Sequence, residues 1–202
     1  MSVKRPVTGP FGKDAHDRAR IAQRAAQFIA EHGIADWNLA KRKAARELAL
    51  PDGRAFPGDD EIEAALADYH ALFGGDAHVV TLRSQREEAL QWMRQLAAFR
   101  PVLTGGVAAG WATAHSDIRI ELLAEDAKLV ELALLNAGVP YRAMHADRER
   151  TVDLFVDTRR GGVRLTMRYP IDARQRLRRD ARDEVRLDQA ALEALLAATV
   201  SA

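Results

Sequence analysis

The spacing of apolar positions changes period about halfway along the chain. From Asp14 onward apolar residues recur at helical intervals. Ile21, Ala25, Phe28 and Ile29 share one face, and Gly33 supplies a stop. Asp36 is placed to cap a second helix running to about Leu48, with Trp37, Ala40, Ala44 and Leu48 inward. Leu50-Pro51-Asp52-Gly53 breaks it. Asp60 and Glu63 form a capping-box pattern for a third helix, lined by Ile62, Leu66, Tyr69 and Phe73 and ended by Gly74-Gly75. A fourth is expected from about Leu82 to Phe99, with Leu82, Ala89, Leu90, Met93 and Leu96 on one side and Pro101 closing it. Residues 1–13 read as a tail and residues 14–100 as a helical bundle.

Beyond Pro101 the pattern becomes that of strands. Val102 to Thr104 is a short apolar strand, and Val107 to Thr113 a short helix or tight turn. Ser116 to Leu123 alternates, with Ile118, Ile120 and Leu122 on one side and Asp117, Arg119 and Glu121 on the other. Asp126 to Ala137 is helical, with Leu129, Val130, Ala133 and Leu134 inward. Three more strands follow, Tyr141 to Asp147, Thr151 to Asp157 and Val163 to Tyr169, joined by polar turns at 147–150 and 159–162. Residues 172–202 hold a charged linker, DARQRLRRDARDEVR, and a final helix capped by Asp188 with Leu192, Leu195 and Leu196 apolar. The fold class is α+β: a helical bundle, then a mixed sheet over residues 101–171 with helices on one face.

Composition narrows the function classes. A net charge of +1 gives no overall field for nucleic acid or membrane. The absence of cysteine excludes disulfides and thiol chemistry and fits a reducing compartment. MSVKRPVTGPFGK has no apolar core, so it does not read as a signal peptide, and no apolar run approaches the roughly 20 residues that cross a bilayer. The expected location is the cytoplasm.

Candidate chemistry concentrates in TGGVAAGWATAHSDIRIE, residues 104–121. A strand that enters a helix through Gly105-Gly106 leaves backbone N–H groups that favour phosphate. An acid on the next strand can hold a divalent metal against it. The order strand, Gly-rich helix, acidic strand, helix and further strands resembles the nucleotidyltransferase fold of the DNA polymerase β superfamily. There a Gly-Ser pair opens the triphosphate-holding helix, and a Ser-Asp-hydrophobic-Asp strand and one later acid bind the metals. Gly105, Gly110, Ser116, Asp117 and Ile118 fall at that spacing without a gap. The chain as a whole, including AKRKAARELAL and VELALLNAGVPYR, is similar to bacterial nucleotidyltransferase-like proteins, some of them labelled UDP-N-acetylmuramate–alanine ligases. No GxxxxGK[ST]-like loop supports the ligase label.

The resemblance implies phosphate or nucleotide binding by Gly105, Gly106, Gly110, Ser116 and Arg119. If the protein is catalytic, it implies Mg²⁺ on Asp117 and Asp153 and transfer of a nucleoside monophosphate to an unknown acceptor. Two positions depart from the family. Gly106 stands where it has Ser, and Arg119 where it has the second metal-binding Asp. Two-metal transfer gathers carboxylates about ions roughly 4 Å apart, and a guanidinium there repels them. Glu121, about 7 Å further along the strand, replaces that Asp only by moving the metal. Asp117, Glu121 and Asp153 then make a one-metal alternative, with Asp157 a further candidate for the third acid. In a plainer reading these acids are solvent-facing and pair with Arg119 and Arg164.

The leading expectation is therefore a pseudoenzyme with a degenerate metal site; the alternative is an active nucleotidyltransferase. Nucleic-acid binding through Lys41, Arg42, Lys43 and Arg46 is a third reading, beside the simpler one of a solvated basic face. Trp111 is placed either to stack on a base or to fill the core. His115 is either a base beside the site or a loop residue. The other histidines, at 16, 32, 70, 78 and 145, lack ligand spacing, and Ser116 lacks a nucleophile elbow. The arginines at 174, 176, 178, 179 and 182 either close over an anion or pair with neighbouring acids.

Overall fold

In a computed structural model, residues 10–34, 36–50, 56–145, 152–159, 161–168 and 185–198 are described. The break at 51–53, the turn at 147–150 and the linker through 184, with its five arginines, lie outside them. The chain divides into two compact units, Met1–Gly75 and Asp76–Ala202. Among the described residues no helix is long and apolar enough to cross a membrane.

The first unit holds α1 (Pro10–His32), α2 (Trp37–Glu47) and α3 (Asp59–Phe73), and α1 packs on both others. Helix α1 starts four residues earlier than the apolar pattern indicates, with Pro10 at its first position, where a missing N–H costs nothing. Its buried stripe is Ile21, Ala22, Ala25, Ala26, Phe28 and Ile29. Gly33 ends it at φ 64°, donating its N–H to Ile29 O at 3.1 Å. Asp36 caps α2 as expected, accepting from the N–H groups of Asn38 and Leu39 at 2.9 and 3.1 Å. The capping box of α3 lies two residues earlier than expected: Gly58 rather than Asp60 is the N-cap, and Glu61 rather than Glu63 accepts its N–H, at 2.8 Å. Ile62 and Leu66 are buried, but Phe73, expected inward, is exposed.

All but the first residue of α4 (Gly75–Gln95) belongs to the second unit, and the helix starts seven residues ahead of its expected start at Leu82. Val79 and Val80 on its first turns are exposed, so no apolar stripe marks them. A 3₁₀ turn at Ala97–Phe99 replaces the expected last turn. Helix α4 belongs with the sheet and not with the helical bundle: Leu82, Ala89, Leu90 and Met93 join the sheet's core.

That sheet has the order β1-β2-β5-β4-β3, with β1 (Val102–Thr104), β2 (Ile118–Leu123), β3 (Arg142–His145), β4 (Val152–Thr158) and β5 (Gly161–Arg168). The β2–β5 pair is parallel and the others are antiparallel. Helix α5 (Gly105–Ala109) joins β1 to β2, α6 (Ala127–Asn136) follows β2, and α7 (Gln189–Ala198) follows Asp188, whose carboxylate accepts the Ala191 N–H. Alternation divides the two faces. Leu103, Ile118, Ile120, Leu122, Leu154, Val156, Val163, Leu165 and Met167 form one buried cluster with residues of all four helices. The opposite face is polar.

Helix α6 turns Val130 and Leu134 into that cluster and leaves Leu129 51% exposed, against the expected inward placement. Leu134→Ala should therefore destabilise the protein by about 2–5 kcal/mol through the cavity it leaves. Leu129→Ala should cost under ~1 kcal/mol. Urea denaturation of both variants checks the pair, and equal losses would refute this orientation of α6.

Candidate functional site

The Gly-rich turn is built to bring α5 tightly off β1. Thr104 is extended, Gly105 takes φ 66°, and Gly110 closes the helix at φ 95°. The N–H groups of Gly110, Trp111 and Ala112 all donate to Gly106 O, at 2.8, 3.0 and 3.1 Å. Each glycine also makes room for a side chain. A Cβ on Gly105 would stand 3.1 Å from Arg119 Cδ, and one on Gly106 would stand 2.6 Å from the Trp111 ring. Trp111 thus occupies the ground that a serine side chain at 106 would need, and both glycines are buried.

Helix α4 holds this turn through its carbonyl groups. Arg86 donates from Nε to Val107 O at 3.0 Å and from Nη2 to Ala108 O at 3.2 Å. Burial lowers the pKa of its guanidinium. The buried Gln85 donates to Thr113 O at 2.9 Å, and His78 Nε2 donates to Gly110 O at 3.1 Å. Ser116 Oγ accepts the Thr113 N–H at 3.0 Å and so helps to shape the turn. His115 is exposed on the same turn.

On the polar face, register sets the neighbours. Thr104, Arg119, Arg164, Phe155 and Arg142 stand side by side in one row. Val102, Glu121, Thr166, Asp153 and Met144 form the next. Arg164 lies between two of the candidate acids, with Nη2 3.6 Å from Asp117 Oδ2 and Nη1 3.9 Å from Asp153 Oδ2. Asp157 pairs with Arg142 at 2.9 Å, and that guanidinium lies 5.1 Å from the centre of the Phe155 ring. Arg119 is exposed and has no ion pair or hydrogen bond among the described residues.

Glu121 is held by two arginines instead of facing a metal. Arg168 Nη2 is 2.6 Å from Oε1 and Arg186 Nη2 is 2.5 Å from Oε2. Burial by itself would raise its pKa, but hydrogen bonds from Arg186 and Arg168 and their charges outweigh that and hold it below the usual carboxylate range. Two strand spacings, about 10 Å, separate Glu121 from Asp153 in their row, and Asp117 lies four residues from Glu121, about 13 Å by strand rise. No group of three or more His, Asp or Glu able to hold a metal occurs among the described residues. The structure brings Asp117 and Asp153 to one cation, Arg164, and does not gather Asp117, Asp153 and Glu121 about a common point.

Comparison with known protein families, with curated proteins and with solved structures finds no match for this chain.

Sequence reasoning passed over Gln85, Arg86 and His78 as clamps of the turn. The signal present was their spacing, since 78, 82, 85, 86 and 89 share one face of a helix. In the first unit the basic face of α2 is interrupted. Lys41 is buried, with its Nζ 2.7 Å from Asp59 Oδ1, and Lys43 lies over the Phe28 ring.

Two outcomes follow from this geometry. Gly106→Ser should destabilise by about 1–3 kcal/mol through overpacking against Trp111, and the cost should shrink in a Trp111→Phe background; a double-mutant cycle by thermal melting measures the coupling. Glu121→Gln should cost about 2 kcal/mol at pH 7, the scale of hydrogen bonds to charged groups. Because the folded pKa lies below the unfolded one, Glu121 stabilises above the unfolded carboxylate pKa, and that contribution is lost as pH falls through the folded value. The gap between wild type and Glu121→Gln should accordingly close in acid denaturation.

Proposed function

We propose that this protein is a nucleotidyltransferase-like pseudoenzyme that binds a nucleotide or another phosphate-bearing ligand without a metal, in the cytoplasm. The observation that carries the reading is Arg164, whose guanidinium lies 3.6 Å from Asp117 and 3.9 Å from Asp153. A cation of the chain stands between the two acids that the family resemblance assigns to Mg²⁺, so the residues present do not fit a two-metal centre. Arg119 beside it in the row has no acid of its own among the described residues. Its planar fork is suited to two oxygens of a phosphate. Gly105 supports this by letting the Arg119 stem lie against the turn. A plain nucleic-acid surface on α2 is disfavoured by the burial of Lys41.

Thermal melting with nucleoside triphosphates decides between the readings. At a hundredfold excess over Kd, binding should stabilise by about 2.7 kcal/mol and raise Tm by several degrees. The shift should persist in EDTA, gain nothing from Mg²⁺ and vanish in Arg119→Ala. A shift that needs Mg²⁺ and disappears in Asp117→Ala would establish the active nucleotidyltransferase instead. No shift with any triphosphate would sink both.

A further inference from the structure

The row of side chains that holds Arg119 begins with Thr104, at the end of β1. Thr104 is only 4% exposed and stands at the N-cap position of α5. A threonine there ordinarily turns its hydroxyl onto an N–H of the helix it caps. Thr104 makes no such bond, and its side chain has no hydrogen-bond partner among the described residues. Its oxygen is not sealed from solvent, unlike the orphaned oxygens of Gln85 and Glu88. Register sets it directly opposite Arg119, with Cβ atoms about 5 Å apart. The Arg119 stem runs past Gly105, the next residue after Thr104: a Cβ there would stand 3.8, 3.7 and 3.1 Å from Arg119 Cβ, Cγ and Cδ. A hydroxyl without a partner and a guanidinium without an acid therefore share one end of the row.

Granted phosphate binding at Arg119, on which this rests, we infer that Thr104 selects a terminal phosphate, a group with three unesterified oxygens. The guanidinium fork takes two of them. The Thr104 hydroxyl donates to the third. A phosphodiester, or an internal phosphate of a polyphosphate chain, offers only two such oxygens, and so does a carboxylate. Each of these would occupy the fork and leave Thr104 unanswered. The site thus fits the end of a nucleoside phosphate and not the backbone of a nucleic acid.

Calorimetric titration of the full chain in EDTA tests it, with ATP, GTP, CTP and UTP and with the methyl esters of their terminal phosphates. The wild type should bind the best triphosphate more tightly than its ester. Thr104→Val keeps the branched shape and removes the hydroxyl. It should bind that triphosphate about tenfold more weakly than the wild type and the ester within about twofold of it. Thr104→Ser, which keeps a hydroxyl, should recover most of the loss. Thr104→Val should also melt no lower than the wild type, because no bond of the fold is lost. Triphosphate affinity unchanged in Thr104→Val, or an equal loss for triphosphate and ester, would overturn the role of Thr104. In either case, loss of both ligands in Arg119→Ala would leave phosphate binding at Arg119 standing. A wild type that binds none of the triphosphates would remove both.

Discussion

The parallel pairing of β2 with β5 sets Arg119 directly beside Arg164, and the polar face is arranged around that juxtaposition. Adjacent strands lie about 4.8 Å apart, so two guanidiniums side by side repel unless acids intervene. Arg164 draws Asp117 from the approach to β2 and Asp153 from β4. Glu121, one row further on, is taken up by Arg168 and by Arg186 from beyond the sheet. Three acids thus meet three other arginines, and Arg119 is the cation left without a counter-charge among the described residues. An anion arriving at this face meets its least compensated charge there.

The same register explains why a metal is ill suited to the face. Carboxylates that share an ion converge on a point, whereas Asp153 and Glu121 are separated by Thr166 in their row. Asp117 and Asp153 converge only as far as a guanidinium's width, with one nitrogen facing each. A planar, delocalised cation bridges acids at that separation; a small spherical one requires them closer.

Much of this was legible from residue order, and the misses have physical causes. Alternation from Ile118 to Leu122 located β2 and its two faces, and the caps at Asp36 and Asp188 were visible as acids ahead of apolar periodicity. The start of α4 was hidden because Val79 and Val80 point outward, and the helix reads as core only from Leu82. Its membership in the sheet unit was hidden for the same reason, since periodicity shows that a face is buried and not what buries it. Leu129, Leu132 and Leu135 add an exposed apolar line to α6, which blurs the inward stripe of Val130 and Leu134. At the site, Arg164 was visible as a candidate partner of the acids, but only the register shows that it reaches two of them while Arg119 reaches none.

The glycines deserve a different weight once the turn is seen. Gly105 and Gly110 fall at the spacing of the Gly-rich stretch they resemble and Gly106 departs from it, yet each has a packing reason to be small: Arg119 lies over the first, Arg86 approaches the second, and Trp111 lies over Gly106. The turn's carbonyl groups are tied down by α4. Those ties fix the turn that continues from Gly105, against which the Arg119 stem lies. A cation with restricted freedom loses less entropy on meeting a ligand than one on an unsupported stem. Under the proposed function the loop, with its glycines buried, would serve anion binding by supporting the arginine, a different use of the same spacing from cradling phosphate on bare N–H groups.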